Sequence, residues 1–206
     1  MSTNIGLISD VHATPAPLQE ALEIFARNEV ETILCAGDIA GYGSELLQTV
    51  ELLIANRCQV VVGNHDIWWL NRFHDAAAAV VADYLRALPR VIELCAEDRK
   101  IHMVHASPPE SLMTGIKLLD ENGLILNDQK VAWRDTLKAF PFDLLVVGHT
   151  HQVFAERLAN VLVVNPGSTL FNHTCAILRL PDMEVEIFPL SGKKPVLSWN
   201  LAGGVW

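Results

Sequence analysis

Three short apolar runs, at residues 4–9, 31–36 and 58–62, each end at a turn rich in Gly, Asp, Asn or His, and helical patterns over Pro17 to Asn28 and Ser44 to Asn56 separate them. This alternation is the pattern of βαβ units, and it commits the first third of the chain to a parallel sheet. Cys58 to Val62 is nearly all apolar, as strands buried on both faces are. Ser44 stands where a helix N-cap is expected, and Asp66 to Leu88 reads as a helix ending before Pro89. The pattern then changes to hairpins. Val91 to Cys95 and Lys100 to His105 flank a polar turn, and Thr174 to Leu180 and Glu184 to Leu190 flank Pro181-Asp182. A helix near Val131 to Ala139 and strands at Leu144 to Val147, Val153 to Leu158 and Val161 to Val164 lie between them. The expected fold class is α/β, a four-layer α/β/β/α sandwich of two mixed sheets flanked by helices. With no repeat or linker, residues 1–206 read as one domain, and Ser191 to Trp206 as an irregular tail.

The apolar runs are interrupted long before the roughly 18 residues that a spanning helix needs, so no membrane is expected. Met1-Ser2-Thr3-Asn4 carries no Lys or Arg ahead of the first strand, and a cytoplasmic protein is expected. Cys35, Cys58, Cys95 and Cys175 lie in or beside apolar stretches without Cys-x-x-Cys spacing and read as buried free thiols. A formal net charge of -9 makes nucleic acid an unlikely partner, because non-specific binding to it draws on Lys and Arg.

Five of the eight histidines fall at predicted strand ends beside Asp, Asn or Gly. The groups are Asp10-Val11-His12, Gly37-Asp38, Gly63-Asn64-His65-Asp66, His105 and Gly148-His149-Thr150-His151. In extended chain, residues i and i+2 point the same way, so Asp10 with His12, and His149 with His151, can each offer two ligand atoms to one cavity. The carboxyl ends of strands in an α/β sheet are also where ligand crevices form.

This set resembles the signature of the calcineurin-like metallophosphoesterase superfamily, which runs Asp-x-His, Gly-Asp, Gly-Asn-His-Asp/Glu, His and Gly-His-x-His in this order, here over residues 10 to 151. The resemblance implies two divalent metal ions, one on Asp10, His12 and His151 and the other on Asn64, His105 and His149, with Asp38 bridging. Imidazole and oxygen donors without thiolate suit Mn, Fe, Zn, Co or Ni better than Mg or Ca, and Mn is the first expectation. Two dications about 3.5 Å apart repel by on the order of 20 kcal/mol at an effective dielectric of about 20, which a bridging carboxylate offsets. The reaction so implied is hydrolysis of a small phosphoester, as a phosphodiesterase or phosphatase, by in-line attack of a hydroxide held on the metals. His65 would act as general acid. Asp66 either orients the His65 ring or caps the helix that follows. The alternative is a non-catalytic binding module on the same fold, like the retromer subunit that has lost the proton-donating histidine; here His65 is present.

Other residues carry weaker signals. Asn165-Pro166-Gly167-Ser168 reads as a structural turn, and Gly41-Tyr42-Gly43 as a loop passing close to the metals. Trp68, Trp69, Arg72 and His74 could stack a base and clamp a phosphate, although at helical spacing one Trp fits the core. Residues 106–119 read as a loop shaping the site, His102 as a surface or hairpin residue, and His173 stays unassigned.

Overall fold

The computed structural model describes residues 3–72 and 79–199. The elements run β1 (Thr3–Ile8), α1 (Pro15–Arg27), β2 (Thr32–Cys35), α2 (Leu46–Ala55), β3 (Gln59–Val60), α3 (Asn64–Arg72), α4 (Ala79–Ala87), β4 (Val91–Ala96), β5 (Arg99–Val104), α5 (Asn127–Thr136), β6 (Leu144–Val146), β7 (Val153–Leu158), β8 (Val161–Pro166), β9 (Thr174–Leu180) and β10 (Glu184–Pro189). Among them no helix is long and apolar enough to cross a membrane.

The strands form two five-stranded sheets, ordered β10-β9-β1-β2-β3 and β4-β5-β6-β8-β7. In the second sheet parallel pairs occupy the middle and antiparallel hairpins both flanks, whereas in the first the parallel pairs β1–β2 and β2–β3 form one side and the antiparallel pairs β9–β1 and β10–β9 the other, so both are mixed, as the sequence implied. Alternation along the strands divides the core in three. Ile8, Cys35 and Ile177 turn outward to Leu18, Phe25, Leu53 and Leu85 of the helices on that side. Ile5, Leu7 and Leu34 face Met103, Leu144 and Val146 across the seam between the sheets. Val104, Leu145 and Val163 pack under Ile116, Leu118 and Leu137. No residue of α5 itself is buried, so the fourth layer is completed by the 116–119 segment and by Leu137 just past the helix.

Several local expectations are corrected. Glu45, not Ser44, stands at the start of α2; no side chain caps it, and Glu45 N donates instead to Ala13 O at 3.1 Å. Only Gln59 and Val60 pair within β3, because Val62 N turns to Pro89 O at 2.9 Å. The expected 66–88 helix is present at both ends as α3 and α4, and its middle lies outside the described residues, as does His74. Cys35 and Cys175 are buried, but Cys95 is exposed because β4 is an edge strand with one face toward solvent. His102 is a hairpin residue, opposite Glu93 in the β4–β5 pair, and not a surface one: Phe140 and Phe142 cover its ring, and its nitrogens face Glu93 Oε1 and Pro109 O at 3.1 and 3.3 Å.

Candidate metal centre

All the chemically marked residues sit just beyond strand ends on one edge of the two sheets. Asp10 and His12 follow β1, Asp38 follows β2, and Asn64, His65 and Asp66 form the first turn of α3 after β3. His105 follows β5, and His149 and His151 lie between β6 and β7. Asp10, His12, Asp38, His149 and His151 all adopt positive φ, between 47° and 66°. For residues with a Cβ this conformation costs roughly 1–2 kcal/mol each, and such strain collects at functional sites. Two glycines let the loops close up. A Cβ on Gly41 (φ 137°) would lie 2.5 Å from His12 Nδ1 and 3.2 Å from His65 Nδ1, and one on Gly63 would strike the Asp38 carboxylate.

Two clusters result, Asp10 with His12 and His151, and Asp38 with His105 and His149; within each, one ligand-type atom per residue lies within 4.8 Å of the others. In the first, His12 Nε2 lies 3.2 Å from His151 Nε2, which lies 3.3 Å from Asp10 Oδ1. In the second, Asn64 Oδ1 lies 2.9 Å from both His105 Nε2 and His149 Nδ1, and Asp38 Oδ2 lies 3.4 Å from His105 Nε2. Each cluster draws residues from both sheets.

The far side of each ring decides what it offers. His12 Nδ1 donates to Ala40 O (3.1 Å), His105 Nδ1 to Ala36 O (2.7 Å) and His149 Nε2 to Met113 O (2.8 Å). A carbonyl that takes one ring proton leaves the other nitrogen as a lone pair, the arrangement usual around metal-ligating histidines. Lone pairs of rings, carboxylates and the Asn64 carbonyl therefore converge with few hydrogens among them, and such a donor-poor cluster fits a cation. The charges agree. Burial pushes the His12 ring down to about 4, against the pull of Asp38 and Asp10. Burial works to raise Asp10 and Asp38, but His151 holds the first and His105 the second below the ordinary carboxylate value. His105 is the exception: burial would lower it, yet Asp38 and Asp10 carry it up to about 9, so a proton takes the place beside Asp38 that a cation would compete for.

His65 is half-buried, and its N–H donates to Asp38 Oδ1 at 2.8 Å. Burial lowers its ring below the usual value, while Asp38 and Asp10 pull it back. The expectation that Asp66 orients this ring is not met. Asp66 Oδ1 accepts from Ile39 N (2.9 Å) and Ala40 N (2.7 Å), and Oδ2 from Gly63 N (2.8 Å), so the carboxylate ties the Asp38 loop to the Asn64 loop. Asp66→Asn turns an amide NH2 toward one of these N–H groups and is expected to cost on the order of 2 kcal/mol of stability. Urea unfolding checks this; a ring-orienting role would instead lower turnover and leave the unfolding midpoint in place.

The Asn165 turn is structural, as expected, and braces two ligand loops. Asn165 Nδ2 donates to Gly148 O (3.0 Å), and Ser168 Oγ donates to Asp10 O (2.6 Å). Of the tryptophans, Trp69 packs against the helical core, whereas Trp68 is 42% exposed with its ring 4.7 Å from His65. The tail supplies what the sequence did not signal. Trp199 N donates to His151 O at 3.1 Å, and the Trp199 ring stacks on Phe171 (4.0 Å, 19°), which stacks on His151 (5.1 Å, 25°). A cavity of about 440 Å³ opens over Asp38, Asn64, His65, His149 and His151, with Trp68 and Trp199 in its lining.

Known proteins resemble this chain in sequence and fold. The chain is 27% identical over 169 residues to a phosphodiesterase of Methanocaldococcus jannaschii, covering 79% of this chain and 82% of that protein. The solved metallophosphoesterase of Sphaerobacter thermophilus superposes with a TM-score of 0.67 at 25% identity, covering 93% and 90% of the two chains. A vacuolar protein sorting 29 protein of Cryptosporidium parvum shares the fold at a TM-score of 0.53 and 16% identity, over 92% of this chain and 97% of that one. The sequence pattern of the calcineurin-like phosphoesterase superfamily domain matches residues 3–180, and the chain belongs to that superfamily.

Proposed function

We propose that the chain hydrolyses small phosphoesters at a pair of divalent cations. Asp10, His12 and His151 would hold one ion, Asn64, His105 and His149 the other, with Asp38 shared. Bound there, the ions supply Lewis acidity and acidify a water toward neutral pKa. The chain's own residues do the rest. Asp10 and Asp38 offset two of the four positive charges that a pair of dications would bring, and the net positive site that remains draws in an anionic ester. His65 lines the cavity and gives its proton to the departing oxygen. Ala40 O, Ala36 O and Met113 O hold three rings in register, so the site needs little rearrangement. The observation that carries the reading is the convergence of ligand-type atoms from Asp10, His12 and His151, and from Asp38, His105 and His149, in two adjoining clusters. A cavity of about 440 Å³ lies within the range of small-molecule sites and supports a small substrate.

Purified protein supplied with Mn is expected to release para-nitrophenolate from an aryl phosphomonoester or phosphodiester, and to lose that activity when a chelator is added. Absence of turnover with Mn, Fe, Zn, Co and Ni alike would leave a binding module on the hydrolase fold.

A further inference from the structure

A row of rings crosses the site: Trp68 to His65 (4.7 Å), His65 to His12 (5.0 Å), His12 to His151 (5.2 Å) and His151 to Trp199 (5.3 Å). The inner three are the proposed acid and two proposed ligands, so the scissile phosphate belongs over the middle of the row. Each end is a tryptophan facing the same cavity. At the Trp68 end a second cavity of about 330 Å³ adjoins, lined by Tyr42, His65 and Trp68 and reaching Arg72. Lys117 also lines the main cavity. Neither cation pairs with a carboxylate among the described residues.

A phosphomonoester has one arm, and it leaves. A diester has two, and the one that stays lies off the line between attacking and leaving oxygens, so it needs a wall of its own. We propose that this protein is selective for diesters bearing an aromatic group on each arm. The leaving arm lies along Trp68 on the His65 side, and the retained arm lies against Trp199 on the His151 side. Trp199 is then the residue that sets diester over monoester preference. It comes from the segment after β10, beyond residue 180 where the superfamily match ends. That segment is anchored, not loosely apposed: Val153 N donates to Leu197 O (2.8 Å), Val196 N to Asn172 O (3.0 Å), and Asn172 Nδ2 to both His151 O (2.8 Å) and Val196 O (2.6 Å). Aromatic stacking against such a fixed wall strengthens binding on the order of tenfold per ring.

The inference rests on the hydrolase reading for its turnover assay and not for its binding assay. The turnover assay compares kcat/KM for bis(para-nitrophenyl) phosphate and para-nitrophenyl phosphate in the Mn-loaded full chain, with metal content measured alongside. Trp199→Ala is expected to lower the diester-to-monoester ratio about tenfold, and Trp199→Phe to restore most of it. Trp68→Ala is expected to weaken both substrates, because both carry the leaving arm. The binding assay is calorimetry with diphenyl phosphate, whose affinity should fall about tenfold in Trp199→Ala. A ratio that does not move, or rates that fall in step as metal is lost, would overturn the assignment and leave Trp199 as a prop for His151. Protein that binds diphenyl phosphate through Trp199 yet turns over nothing would sink the hydrolase reading while keeping this one.

Discussion

Asp38→Asn is expected to bind at most one equivalent of metal and to lose at least about 10³-fold in hydrolysis. The carboxylate is buried beside His105 of one cluster, and its charge also acts on His12 of the other. A thousandfold corresponds to about 4 kcal/mol, a fraction of the on the order of 20 kcal/mol by which two adjacent dications repel. Asn keeps the oxygen that accepts the His65 N–H, so the loop is expected to keep its shape. Elemental analysis together with a melting curve separates metal loss from unfolding. Two equivalents retained at full activity would show that Asp38 is not shared.

His65→Ala is expected to do the opposite: both metals stay and turnover falls by about 10²–10⁴. No cluster uses the His65 ring, and the link to Asp38 is made by its backbone N–H, which alanine retains. The size of the loss is expected to follow the leaving group. An alkoxide needs the proton and suffers most; para-nitrophenolate departs with little help and suffers least. A uniform loss across leaving groups, or a loss of metal, would reassign His65 from acid to support.

The sheets were legible because strands obey a short-range rule, whereas the set of seven candidate ligands came from the resemblance of motifs at the strand ends. Apolar alternation marks a strand, but the extended backbone expected to aim Asp10 with His12, and His149 with His151, is not what holds them: all four adopt positive φ, and His149 and His151 join different clusters. What was illegible depends on partners remote in the chain. His102 looks like a surface residue until Phe140 and Phe142 arrive over it from 38 and 40 positions away. Asp66 looks like a helper for its neighbour His65 until the Ile39 and Ala40 amides claim its carboxylate. Trp199 sits in a stretch with no periodicity, and only its stack on Phe171 brings it to the site. Left-handed backbone at five candidate ligands likewise has no signature in residue type, since aspartate and histidine serve equally well in ordinary conformations.

Each candidate cluster takes Asp or Asn from the first sheet and His from the second, apart from His12. A cation held there is therefore a rivet through the joint between the two halves of the sandwich, where Leu7 and Leu34 meet Met103 and Val146. Slackening that joint with a smaller side chain weakens cation affinity from a distance, and filling the rivet holes stiffens the joint in return, because the two are linked by one free energy.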